Sequence, residues 1–214
     1  KYKSKNDNRK NLIKSFFKIF NYLWNRKDIS ILSFTTILSD VAVWGAMSVL
    51  TISISIEIYD KGTLGYGILD SLYGIGALIS VVVIGYLSKS FSRKFILSIC
   101  YLICTIAIYF SSKTFSIYFA SLFFFLLGTS NNSCRIIIRT IFMENINNEI
   151  MGRVQTVLGI YSRLMVVSSS LLTGYLIENY SIDFAIYFTC LHFILAFVGV
   201  NIVNKTFTRS KSYL

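Results

Sequence analysis

The sequence predicts an all-α membrane protein of six transmembrane helices with both ends in the cytoplasm, and three observations predict it. First, 54% of the 214 residues are hydrophobic and 14% are charged, with a mean hydropathy of +0.62. A soluble domain carries roughly 25% charged residues and has nowhere to hide so much apolar surface. Second, the apolar residues gather into six runs, 29–58, 64–88, 95–112, 114–134, 154–177 and 182–203, each near or above the roughly 20 residues that cross a bilayer as a helix. The runs are apolar on all sides and too long for barrel strands, which need only about 10 alternating residues. Third, the net charge of +11 is sorted by side. Lys and Arg fill the N-terminal segment, the loops after the second and fourth runs, and the tail. The remaining loops hold only Lys61 and Lys113, beside Glu57, Asp60, Glu178 and Asp183. This alternation follows the positive-inside rule, and a nucleic-acid-binding stripe has no reason to alternate loop by loop.

Residues 1–28 are expected to form a cytoplasmic, basic, amphipathic linker helix. Leu12, Ile13, Phe16, Phe17, Phe20, Leu23 and Trp24 recur on one face, which lies either in the membrane interface or against the protein. Asp28 is placed to cap the first span. The segment lacks the isolated apolar core and cleavage site of a signal peptide, and residue 1 is Lys, so an internal start in a longer protein is expected. The bundle occupies 29–204, and 205–214 form a cytoplasmic tail.

Along the bundle, Asp40 lies about 16 Å into the first span, near the midplane, and Asp70 about 9 Å from the outer end of the second. The second span also concentrates small residues, with Gly67 and Ser71, then Gly74, then Gly76 and Ser80, suited to close helix packing, static or sliding. The turn Lys89, Ser90, Phe91, Ser92, Arg93, Lys94 either sets topology or latches a closed state through helix-end contacts. Cys100 and Cys104 share a face, and with Cys134 and Cys190 they lie in or at the ends of spans, as small apolar core residues. Asn131 and Asn132, followed by Arg135 and Arg139, form either a polar inner mouth or a solvated helix end. Arg163 lies about 15 Å beyond Arg153, at the depth of Asp40. The intramembrane charges Asp40, Asp70 and Arg163 need a reason: structural pairing, substrate or proton handling, or water beyond a misplaced span edge. His192 is the only histidine, with no nucleophile motif to serve and no phosphate-cradling loop elsewhere. No enzyme activity, cofactor or metal is expected. With no proline in the chain, any gating bend must use glycine or local unwinding.

A weak repeat aligns Gly85, Tyr86, Leu87, Ser92 and Phe95 with Gly174, Tyr175, Leu176, Ser181 and Phe184 at one constant offset. The second span descends and the fifth ascends, so the six helices divide into two inverted three-helix repeats, the plan of many secondary transporters.

Two loops carry a family resemblance. Ile146 to Val154 resembles a turn of pattern Val, Pro, Asp, Glu, Leu, Arg, Gly, Arg, Val: Glu149, Gly152, Arg153 and Val154 match, while Asn147 replaces the proline and Met151 the first arginine. Gly85 to Lys94 resembles the loop motif Gly, x, Leu, Ala, Asp, Arg, x, Gly, Arg, Arg, with Lys89 in place of the acid and Ser92 in place of the glycine. These segments resemble exporters of the major facilitator superfamily, in particular the macrolide-efflux and siderophore-exporter-like branch, and the likeness spans essentially the whole chain. The resemblance implies the C-terminal half of a twelve-helix fold, with the linker helix as the central cytoplasmic linker. The substrate cavity would then lie between this chain and a missing N-terminal six-helix half, a partner chain or a second copy.

The expected function is secondary active, ion-gradient-driven efflux or antiport of small or amphipathic molecules across the plasma membrane. Asp40, Asp70, Asn131, Asn132 and Arg163 are the transport-path candidates, and Gly85, Lys89, Arg93, Lys94, Glu149, Gly152 and Arg153 are the loop motifs. The expected partners are the bilayer, the other half and a small-molecule substrate, without nucleic acid. The alternative is a non-transporting six-helix membrane protein, a degenerate remnant or an assembly subunit.

Overall fold

A computed structural model of the chain describes residues 25–203. The expected tail and all but the last residues of the expected linker lie outside these. The described residues form six helices and no strand: α1 (Lys27–Ile58), α2 (Gly62–Ser90), α3 (Arg93–Ser111), α4 (Ile117–Asn145), α5 (Asn148–Asn179) and α6 (Ile182–Ile202). Each falls on one predicted apolar run, to within three residues except at the far end of α4 and the start of α5. All but α4 are long and apolar enough to cross a membrane. α4 has the length, 29 residues, but Thr129 to Ser133 and the two arginines beyond dilute its apolar character.

The breaks between helices have local causes. Asp60 and Gly62 take positive φ, at 50° and 54°, turning the chain sharply from α1 into α2; glycine adopts this region without steric cost. Ser92 starts α3 by accepting a hydrogen bond from the Phe95 N–H, Ser116 starts α4 by accepting from Tyr118, and Asn147 starts α5 by accepting from Glu149. A side-chain acceptor here satisfies an N–H left open by the first turn. Ser92 and Asn147 are two of the departures from the family pattern, and both act as caps. Asp28 is not the cap of α1; that position is Arg26, and Asp28 lies in the first turn, where its charge complements the positive helix end.

Two boundaries differ from expectation. α4 continues to Asn145, well beyond Cys134, because Ile137, Ile138, Ile141 and Phe142 keep a buried face at helical spacing while Arg135, Arg139 and Glu144 turn outward. α1 is uninterrupted, but Val41–Ala46 and Ile54–Ile58 adopt the wider π-helical turn. The first of these follows Asp40 directly and contains Gly45, so local unwinding occurs without proline.

α4 packs along α2 and α3, α1 packs along α5 and α6, and α3 packs on α6. At the α2/α4 crossing, Gly76 lies against the backbone carbonyl of Phe125 and Gly128 against that of Tyr73, with no room for a side chain at either glycine. At the α1/α5 crossing, a methyl group on Gly45 would lie 2.8 Å from Ser169 Cβ and 3.0 Å from the Val166 carbonyl oxygen. Gly76 and Ser80 are buried, whereas Gly67, Ser71 and Gly74 are exposed, and nothing approaches within 4 Å of where a Cβ on Gly67 or Gly74 would sit. Within this chain the predicted small-residue seam therefore reduces to its second pair. Gly67 precedes Gly76 by more than two turns, and helix rotation of about 100° per residue leaves the two on opposite faces. All four cysteines are free and buried.

Candidate functional site: a charged cavity between α1, α4 and α5

The ends of α1, α4 and α5 nearest the basic loops enclose a cavity of about 430 Å³, lined in part by Ser33, Thr36, Asp40, Asn132, Arg135, Arg139, Gln155 and Ser162. Asp40 is its focus. Ser162 Oγ donates to Asp40 Oδ2 at 3.0 Å. The other carboxylate oxygen, Oδ1, is buried and accepts no hydrogen bond, facing Arg135 Nε at 3.8 Å. At that separation the pair attracts electrostatically but does not form a hydrogen bond. The Arg135 guanidinium also lies over the Trp44 ring, 5.9 Å from its centroid, within cation–π range.

Of the readings open for the intramembrane charges, a pairing of Asp40 with Arg163 is not the one this geometry makes. Arg163 shares the depth of Asp40 but is exposed on another face of α5, while its neighbour Ser162 turns inward. One residue is about 100° of helix rotation, so depth alone does not choose the partner. Arg135, read as part of a mouth or a solvated end, takes that role.

The two asparagines differ: Asn132 lines the cavity, and Asn131 lies behind it. Asn131 is buried; its Oδ1 accepts from Ser39 Oγ at 2.6 Å and its Nδ2 donates to the Tyr73 hydroxyl at 3.0 Å, joining α1, α2 and α4. Asn132 donates to Ser80 Oγ at 2.7 Å and to the Ala77 carbonyl at 2.9 Å. In an apolar surrounding such bonds fix helix register.

Asp70 is not part of this constellation. It is exposed and lines a second cavity of about 320 Å³ toward the opposite end, with Trp44, Met47, Ser48, Tyr66 and Tyr73 among its walls. Trp44 borders this second cavity while its ring meets Arg135 of the first.

The loop residues divide similarly. Arg93 forms a two-pronged pair with Glu144 at 2.5 and 2.8 Å, tying α3 to the end of α4. Lys94 Nζ donates to the carbonyls of Asn201 and Val203, at 2.7 and 2.8 Å, closing the end of α6; cations suit carbonyl-rich helix C-termini. Lys89 lies 5.6 Å from the Tyr86 ring centroid. Gly85 and Gly152 face open space, and Glu149 and Arg153 are exposed in the first turns of α5. The Ser80, Ser162 and Trp44 contacts were missed by sequence reasoning; Ser162, one residue from a charge in an apolar helix, was the readable signal. His192 Nδ1 lies 2.8 Å from the carbonyl of Phe188 in its own helix.

Residues 1–169 match the family model described as Major Facilitator Superfamily. No match to the chain is found among curated proteins. With more than half of its length matched, and apolar helices long enough to cross a membrane, the chain belongs to the Major Facilitator Superfamily and is a multi-pass membrane protein of that transporter family.

Proposed function

We propose that the chain forms the C-terminal six-helix half of a gradient-driven exporter of small or amphipathic molecules in the plasma membrane, with α4 as a sixth span and the basic loops in the cytoplasm. The observation that carries this reading is the convergence of Asp40, Arg135, Asn132 and Ser162 from three helices on one cavity in an apolar bundle. Charge in hydrocarbon is costly and is retained where it faces a pathway or a partner. A carboxylate oxygen that faces an arginine without a hydrogen bond is also suited to yielding that cation to a ligand.

Support for the inverted repeat lies in the packing. Exchanging α1, α2 and α3 with α4, α5 and α6 maps the α1 contacts with α5 and α6 onto the α4 contacts with α2 and α3, and maps the α3/α6 contact onto itself. Burial follows the same exchange: 22% of the apolar window is buried in both α2 and α5, and 44% in both α3 and α6. The low value for α2 and α5 leaves broad faces for lipid and for a second six-helix unit, against which this half would rock about the cavity.

The test is accumulation of a fluorescent amphipathic dye in cells producing the full-length transporter, with and without a protonophore. Lower accumulation that the protonophore abolishes is expected. Equal accumulation under all conditions overturns the reading and favours a non-transporting membrane protein.

A further inference from the structure

Among the described residues the cavity holds one carboxylate and two guanidinium groups, and neither guanidinium donates a hydrogen bond to them. Arg139 lines the cavity and makes no hydrogen bond, ion pair or ring contact with any described residue. Arg135, one helical turn deeper on the same face of α4, donates no hydrogen bond to a described residue; it has the 3.8 Å approach to Asp40 and the Trp44 ring. Gln155, across the cavity on α5, has an equally uncommitted amide among the described residues. Residues four apart on a helix place their side chains side by side. Two arginine forks so arranged match the oxygens of a carboxylate or phosphate.

We propose that this cavity is an anion site, in which Arg139 and Arg135 together grip the carboxylate or phosphate group of a small amphipathic ligand, and Asp40 competes with that group for Arg135. The proposal deepens the transport reading by naming the substrate class, and depends on that reading only for the steps after binding. Competition gives opposite signs to two neutralising substitutions. Removing Arg139 deletes a grip on the ligand, whereas removing the charge of Asp40 frees Arg135 for it.

The experiment is a binding titration on the purified full chain in phosphatidylcholine nanodiscs, carrying Trp24→Phe so that Trp44, beside Arg135, is the sole tryptophan. The probes are 2-naphthoate and 2-naphthylmethylammonium, read by energy transfer from Trp44. Naphthoate is expected to bind about tenfold more tightly than the amine, Arg139→Gln to weaken naphthoate about tenfold, and Asp40→Asn to tighten it several-fold. Arg139→Lys, which keeps the charge, is expected to retain most of the affinity. Preference for the amine, binding of neither probe, or an unchanged naphthoate affinity in a helical Arg139→Gln protein overturns the proposal. Repeating the titration with phosphatidylglycerol in the disc separates the sources: competition identifies a lipid phosphate as occupant, and its absence a soluble anion. Because binding is read without transport, gradient-driven transport with no naphthoate site removes the anion site alone. Naphthoate binding without transport removes the transport reading alone.

Discussion

Two helix crossings in this protein follow one plan and diverge in chemistry. Where α2 meets α4, Gly76 and Gly128 bring backbone onto backbone, and the adjacent polar groups are paired by Asn132 with Ser80 and Ala77. Where α1 meets α5, Gly45 approaches Ser169, a side chain rather than a carbonyl alone, and the adjacent polar groups are Asp40 and Ser162, with one carboxylate oxygen unbonded. The first crossing is closed on itself. The second is close as well, but it meets a side chain that can rotate, has a π-helical turn beside it in Val41–Ala46, and leaves one carboxylate oxygen of Asp40 without a hydrogen bond. Such turns are frequent at functional sites, and the difference is why the proposed transport site is set on the α1/α5 side, with the α2/α4 side as its brace.

Breaking the brace gives the largest expected effect. Gly128→Val drives a branched side chain into the Tyr73 backbone and is expected to cost about 3 kcal/mol, read as a lowered unfolding midpoint in detergent or as loss of the folded protein. Gly45→Ala meets the Ser169 side chain and the Val166 carbonyl, and about 1 kcal/mol is expected because the π-turn can give; a cost equal to that at Gly128 would mean the crossings are equally rigid. Asn132→Ala removes two interhelical bonds at about 1 kcal/mol in the same unfolding assay. Smallest is Arg93→Gln, which breaks the partly exposed pair with Glu144. A loss below about 1 kcal/mol that shrinks further in high salt is expected there.

The helices were legible from hydropathy because a membrane span must be apolar along its whole length. The end of α4 was not, because beyond Cys134 only one face stays apolar, and the mean over a window cannot separate a half-buried helix from a loop. The charged cluster was half legible. Depth arithmetic set Asp40 and Arg163 at one level and left their pairing open, since it carries no information on azimuth; Ser162 and Arg135 face the carboxylate instead. The π-turn left no trace beyond Gly45. Ser92 and Asn147, departures from the family loop patterns, are explained by the helix starts they cap.

The proposal that the chain is half of a gradient-driven transporter, with the Asp40 cavity as its working site, is tested most directly with proteoliposomes containing the full-length transporter. Substrate flux is measured with and without an imposed pH gradient, for the parent protein and for Asp40→Asn, at matched amounts of folded protein. Coupling through Asp40 predicts that the parent responds to the gradient and that the variant moves substrate at one rate in both conditions. An Asp40→Asn protein whose flux rises with the gradient as the parent's does would contradict it.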